Sequence, residues 1–517
     1  GGVEIIKGVA SALHGGAALG GVINLTSRRP AAEPIRELLL NQTTLGGTDV
    51  VAFLASRAAE DGGLAWTMLG GAHTQRRVDR DHDGWTDLPG YDRLVLRPRA
   101  FWQSPSGHSS LRTVGFTGEE REGGTFPGAT APDGSPWPER LRTRRVDAGT
   151  VTRLLAGAGI VTVRASGSLQ QHRHTFGPAV ERDRHLTWFG EAAWTARLGA
   201  QDVVLGAAFQ QERYDARDVS GFDYTFNVPS LFAQTTIEPT SRLALSASGR
   251  VDRHNEYGTM ASPRLSLLLR AGETWSVRAS AGAGYFAPTP FTEETEVTGL
   301  RPLRPLTGLE AERARSASID VGGELGPFEV NGTLFASTVR DPVGVRPVVS
   351  DPQAIELVNV GRPTRTRGGE LLLRWEREPA HVTATYTYVH ATEADPATGM
   401  RRRVPLTPRH QAGIVTALEW EEQGRVGVEV YYTGRQVLHD DAFRSRSPSY
   451  VHVGVLVERR IGYARAFING ENLLGTRQTR HDPLVRPAPG LGGRWTNDVW
   501  GPLEGRVANV GVRLDLP

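Results

Sequence analysis

Strand-like alternation runs along nearly the whole chain with no long apolar stretch beside it, and that restricts the fold more than any other feature. In TWSVRASAGAGYF, Val277, Ala279, Ala281, Ala283 and Tyr285 fall on one face, and Arg278, Ser280, Gly282 and Gly284 on the other. GRVGVEVYYTG sets Val426, Val428, Val430 and Tyr432 against Arg425, Gly427, Glu429 and Tyr431. VANVGVRLDL sets Val510, Val512, Leu514 and Leu516 against Gly511, Arg513 and Asp515. A period of two belongs to a strand whose faces meet different surroundings. No uninterrupted apolar run approaches the ~18 residues of a membrane-crossing helix.

The connections are ordered too. Short ones (59–63, 104–108, 157–159, 239–242 and 421–424) alternate with long ones (74–92, 118–142, 286–310, 340–365, 391–408, 434–449 and 474–505). Counting runs after Pro30 predicts about 22 strands, a size class whose barrels carry a plugged lumen. A soluble sandwich or propeller, such as a glycosidase or lectin, has no reason to keep its long loops at one end. A transmembrane β-barrel needs that arrangement, with tight periplasmic turns, long extracellular loops, and strands apolar outside and polar inside. Closure also pairs every backbone donor and acceptor, as hydrocarbon requires. The expected fold is therefore an all-β, antiparallel transmembrane barrel.

Composition removes several functions. There is no cysteine, so disulfides, thiolate metal sites and cysteine nucleophiles are excluded. A net charge of +2 gives no case for massed phosphate neutralisation on a nucleic acid. Nearly all the positive charge is arginine, Lys7 being the lone lysine. The chain lacks an initiator methionine and the basic, apolar start of a signal peptide, so it reads as a fragment whose N-terminal part lies upstream.

The opening segment, VEIIKGVASALHGGAALGGVINLTSRRP, resembles the C-terminal end of the plug domain in TonB-dependent outer-membrane receptors. The positions that carry the likeness are Val3, Glu4, Lys7, Gly8, Ser11, Leu13, His14, Gly15, Gly20, Gly21, Val22, Ile23 and Asn24, with His14 replacing the usual aromatic. SPRLSLLLR followed by SVRASAGAGYFAPTPFTE is similar to the family's mid-barrel strand pair. NVGRPTRTRGGELLLRW and INGENLLGTRQTRHDPLVRP are similar to its later strands. Asn509, Gly511, Leu514 and Leu516 match the spacing of its terminal strand, although Leu and Pro517 stand where aromatics are usual. The resemblance implies a plug remnant over 1–30 and a barrel over 31–517, in the outer membrane of a Gram-negative bacterium. It implies a receptor for TonB-energised uptake and not an enzyme. TonB would act through the missing upstream segment. The family's ligands include ferric siderophores, haem, cobalamin, nickel complexes, oligosaccharides and peptides, and fold does not choose among them. A ferric siderophore or similar metal chelate is the leading expectation. The alternatives are a nutrient receptor of the same fold and a passive porin, the latter disfavoured by the plug-like start.

Candidate ligand residues come from the long connections. Arginine forks bind carboxylate, catecholate and phosphate oxygens in pairs, which nominates Arg76, Arg77, Arg301, Arg304, Arg435 and Arg444. Lipopolysaccharide phosphates are the competing partner for such arginines, and membrane lipid is expected around the wall. Phe126, Trp137, Tyr224, Phe443 and Trp495 lie in the same segments and suit stacking on a planar chelating group.

Other motifs have plainer readings. Gly282-x-Gly284-x-x-Ala287 fits a loose dinucleotide fingerprint but lies inside an alternating strand. No histidine is followed by glutamate, so the His-Glu-x-x-His zinc motif is absent. His172 and His174 read as polar loop residues and Glu4 and Lys7 as plug packing. Trp188, Tyr285, Trp375, Tyr386, Tyr388 and Tyr432 read as an interfacial aromatic girdle. No cofactor is required. DRDHDGWTD is sharper. Asp79, Asp81 and Asp83 at alternate positions, then Gly84 and Asp87, open like a calcium loop. Gly90 occupies the place of the closing glutamate, so Asp92 or a carbonyl would complete the shell of a structural Ca2+ over 79–87. A solvated acidic turn is the competing reading.

Overall fold

The computed structural model describes residues 2–7, 13, 15, 21–58, 62–420 and 422–516. Gly8, Ser11, His14 and Gly20 of the opening motif, and Pro517, lie outside the described residues. Every barrel strand pairs antiparallel with its sequence neighbours, and Val507–Asp515 closes the ring on Ile35–Thr43. The barrel has 22 strands. Two of them are interrupted: Gly258–Ala261 and Arg264–Ala271 share Leu243–His254, while Arg401–Arg403 and His410–Trp420 share Ala380–Ala394. Among the described residues helix is confined to Glu293–Thr298 and short 3-10 turns, and none of it is long and apolar enough to cross a membrane.

Alternation decides which way each wall residue points. Val426, Val428 and Val430 pair with Val457, Val455 and Val453 on the outer face. On the opposite face Arg425 meets Glu458, which also meets Arg465, and Tyr431 reaches Glu429. The inner wall is laced by such polar pairs, including Arg97 with Asp147 at 2.8 Å and His73 with Asp49 at 2.7 Å.

All the turns at one end are short. The other end holds the long connections, but not uniformly. There 44–47, 177–178 and 255–257 are tight turns, and much of 118–142 is strand. Ser109–Gly124, Pro138–Ala156, Gly159–Phe176 and Ala179–Leu198 run far beyond the ~9–11 residues a bilayer needs. Where water lies on both faces of a strand, the apolar signal stops while the hydrogen-bond ladder continues.

The long connections fold into two small cores of their own. Tyr214, Phe222, Leu300, Leu303, Ile355 and Leu357 join segments 217–223, 287–311 and 341–363, with Ile355 fully buried. Trp85, Ala131, Leu484 and Trp495 join 76–89, 125–137 and 472–506. Tyr285 departs from the girdle expectation. It is 7% exposed and packs with Met260 and Ala311, because the segment after its strand folds back and covers the ring.

Gly2–Lys7 and Gly21–Thr26 form a separate two-stranded sheet. Leu13 packs against Ala193, Ala208 and Phe232 of the inner wall, which places Leu13 within the barrel. Arg28 ties its exit to Glu37 and lies over the Phe53 ring.

Candidate functional site in the lumen beneath the loops

An aromatic column lines the lumen where the strands meet the long connections. Tyr214 and Tyr224 are cross-strand partners with stacked rings 5.6 Å apart. Phe226 stacks on Tyr224 at 4.4 Å, and His254 and Tyr257 extend the column at 4.6 Å and 5.0 Å. Phe291, from a long connection, meets Tyr214 edge-on at 4.8 Å. Glu212 sits among them, accepting from the Tyr224 hydroxyl at 2.6 Å and facing His185 at 3.1 Å.

Beside the column lies a cavity of about 490 Å³, bordered by Arg121, His172, His174, Asp183, Tyr214 and Phe291. His172 holds Asp183 at 2.9 Å. The cavity joins apolar faces to a few fixed polar groups, the usual make-up of a small-molecule pocket. No cysteine is available as a nucleophile. What this arrangement offers a ligand is stacking, hydrogen bonding and charge.

Of the residues nominated from sequence, Tyr224 belongs to this column. The others are spread over the loop cap. Arg77 lies 4.6 Å from the Phe126 ring. Trp137 meets Trp495 edge-on at 6.3 Å, and Trp495, 6% exposed, is part of a loop core. Arg444 forks onto Asp482 and lies over Trp500. Arg304 pairs with Asp351 at 3.1 Å, and the Arg301 backbone donates to Glu181. Arg76, Arg435 and Phe443 are exposed, and neither arginine has an ion pair among the described residues. Five of the column's residues went unnoticed in the sequence: Tyr214, Phe226, His254, Tyr257 and Phe291. The signal was there in Glu212-x-Tyr214 and Tyr224-x-Phe226, where alternation brings polar and aromatic side chains inward at strand ends.

The acidic loop is built differently from a linear calcium loop. Carboxylate oxygens of Asp79, Asp81 and Asp87 lie within 4.8 Å of one another. Asp83 turns away and accepts from the Trp85 amide at 2.7 Å. Asp79 accepts from His82 and Gly84 amides at 2.6 Å and 3.0 Å, and Asp87 from the Arg80 amide at 2.7 Å. Gly84 takes φ 88°, which favours glycine. One Asp81 oxygen is buried without a partner. Burial, then the neighbouring Asp83 and Asp87 carboxylates, push the Asp81 carboxyl up to about 6.

The model of the family "TonB dependent receptor-like, beta-barrel" matches residues 46–473. A variant of the ferric enterobactin receptor of Pseudomonas aeruginosa superposes with a TM-score of 0.80 at 16% identity, covering 99% of this chain and 85% of that one. The siderophore receptor PirA of Acinetobacter baumannii gives 0.77 at 15%, covering 99% and 85%. PirA of Pseudomonas aeruginosa gives 0.74 at 15%, covering 100% and 86%. No curated protein matches in sequence. At these identities the structural likeness speaks for the fold, while the sequence match over most of the barrel assigns the family. The chain belongs to the TonB-dependent receptors.

Proposed function

We propose that this protein is an outer-membrane receptor for active uptake of an anionic metal chelate, a ferric siderophore being the leading class. The observation that carries the reading is the aromatic column and its adjoining cavity, roofed by loops at one end of a closed barrel. Stacked phenol and imidazole rings suit a planar chelating group. Exposed Arg76 and Arg435 in the loop cap supply positive charge on the approach. Two of the structures of similar fold are complexes of ferric enterobactin receptor variants with enterobactin, which favours this class over a sugar or peptide.

Residues 1–30 are read as the end of a plug, supported by the sheet and Leu13 held within the barrel. The end with long connections is assigned to the cell exterior, and TonB to an upstream plug segment. Such a barrel has no energy source of its own in the outer membrane, so a partner must pull on the plug. The Asp79, Asp81 and Asp87 cluster is read as a structural calcium site, supported by the unpartnered Asp81 oxygen.

The test is expression under iron limitation, then iron-dependent growth on single siderophores with the full-length receptor. Tyr214→Ala together with Phe226→Ala should abolish growth on one siderophore while leaving the protein in the outer membrane. Expression indifferent to iron and induced by a sugar or peptide would move the assignment to nutrient uptake.

A further inference from the structure

We propose that the cavity beside the aromatic column receives a cationic group of the ligand, an ammonium or guanidinium held away from its metal. The proposal rests on the uptake reading above and narrows the ligand to a chelate that carries both signs of charge. Besides Glu122, which Arg140 holds at 3.5 Å, four carboxylates border the cavity. Glu139 opens Pro138–Ala156, Glu181 and Asp183 lie near the start of Ala179–Leu198, and Glu296 is on the short helix Glu293–Thr298. The register fixes the first three. Glu139 pairs with Phe176, Glu181 with His174 and Asp183 with His172, so alternation turns them all to the lumen.

The protein supplies little positive charge against them. Both guanidinium groups on the border are engaged, Arg140 with Glu122 and Arg121 with Glu119. His172 is held by Asp183, and burial, with His172 beside it, pushes His174 down to about 4, so that ring is neutral at pH 7. Glu181 accepts from the Leu300 and Arg301 amides at 2.8 Å and 3.1 Å, with the Arg301 guanidinium 4.0 Å away. Glu139 and Glu296 have no cationic partner among the described residues. Burial, against a hydrogen bond from Trp137, pushes the Glu139 carboxyl up to about 7, the response of an acid with no cation to hold its charge. Glu293 and Glu294 add further negative charge on the same helix.

The walls between these carboxylates are aromatic. Tyr214 and Phe291 meet at 85° and make a corner, and Phe176 lies 3.7 Å from the His174 ring. Ring faces attract cations and offer an anion nothing. Low-dielectric walls around charges of one sign strengthen the field between them. A uniformly anionic chelate is repelled from such a recess, while exposed Arg76 and Arg435 stand in the loop cap. The two fields orient one ligand end to end, with the oxygens around its metal toward the arginines and its cation toward Glu139 and Asp183.

The experiment uses the full-length receptor in detergent and size-matched probes, phenethylammonium, phenethyl alcohol and phenylacetate, followed by titration calorimetry and by melting temperature. The ammonium should bind and raise the melting temperature, and the alcohol and the carboxylate should not. Glu139→Gln with Glu296→Gln should weaken ammonium binding by about tenfold or more, and Phe291→Ala by about threefold or more. Glu120→Gln, paired with Arg142 on the outer wall, should leave it unchanged. The heat-dependent gel shift of each variant reports separately on the barrel. Phenylacetate binding as tightly as the ammonium would overturn the proposal, as would no ammonium binding, or binding that survives the double substitution. In growth assays a siderophore with a free amine should be taken up, and equal uptake of its N-acetylated form would overturn the assignment of charge. Expression indifferent to iron, with ammonium binding intact, would remove the chelate reading and leave the cation site.

Discussion

Substituting arginine at two neighbouring positions separates the two sides of the wall. Val428 faces outward, paired with Thr416 and Val455, and is 40% exposed with no protein over it. An arginine at the bilayer midplane costs about 2–4 kcal/mol, which is roughly 30- to 1,000-fold in the folding constant. Gly427 faces inward. A Cβ built there meets only the Thr416 carbonyl oxygen at 3.8 Å and the Leu456 Cβ at 3.9 Å, both ordinary contacts. The lumen side has room and polar company, so Gly427→Arg should cost less than about 1 kcal/mol, within the range of surface substitutions. Refolding from urea into lipid vesicles, read by tryptophan fluorescence and by the gel shift between unheated and boiled samples, measures both. Equal costs, or a larger cost at Gly427, would refute the assignment of faces.

The acidic loop predicts a pH-dependent response to calcium. A carboxyl raised from 3.8 to about 6 in the folded state stabilises the protein below pH 4 and loses that contribution as pH rises through 6. The metal-free loop should therefore loosen between about pH 4 and 6, and millimolar calcium should restore it above that window. Asp81→Asn should abolish both effects, and calorimetric titration showing no calcium binding at neutral pH would sink the site. Gln478 is 1% exposed, donates to the Asp498 carbonyl at 2.9 Å and accepts from the Trp500 amide at 2.8 Å. Gln478→Ala should cost the loop cap about 1–3 kcal/mol through the unpaired groups it leaves. Faster hydrogen exchange at the Trp500 amide, with the barrel unchanged, is the expected readout.

Where lipid and lumen oppose each other across a strand, the architecture is legible from sequence. Gly424–Thr433 and Val507–Asp515 show both faces without ambiguity, and counting such runs reaches the observed number of strands. Above the bilayer the contrast vanishes. Arg140 and Arg142 read as part of a loop, yet they belong to Pro138–Ala156, held by its ladder to Ser109–Gly124. The Gly177-Pro178 turn was hidden for the same reason. Site residues are harder still. Trp495 and Arg444 have the chemistry of ligand contacts, but the loops use them to hold one another. Nothing in the local sequence reveals that Asp482 will come to Arg444 across the cap. Asp87, and not Asp83, completes the carboxylate cluster because the turn at Gly84 reverses the chain.

The closing seam has a kinetic consequence. Every other ladder in the ring joins strands that are neighbours in the sequence, so each can zip as soon as its second strand exists. Val507–Asp515 must find Ile35–Thr43, and the seam bond from Ala508 to Thr44 spans 464 positions. Its register runs only from Asn509–Thr43 to Asp515–Glu37, whereas the ladder between Gly159–Phe176 and Ala179–Leu198 runs from Ala179–Phe176 to Ala196–Gly159. Closing so large a ring carries an entropic cost that grows with the logarithm of its length, and few rungs repay it. The seam should therefore form last and part first, leaving an open sheet with two unpaired edges as the species at risk of aggregation during assembly.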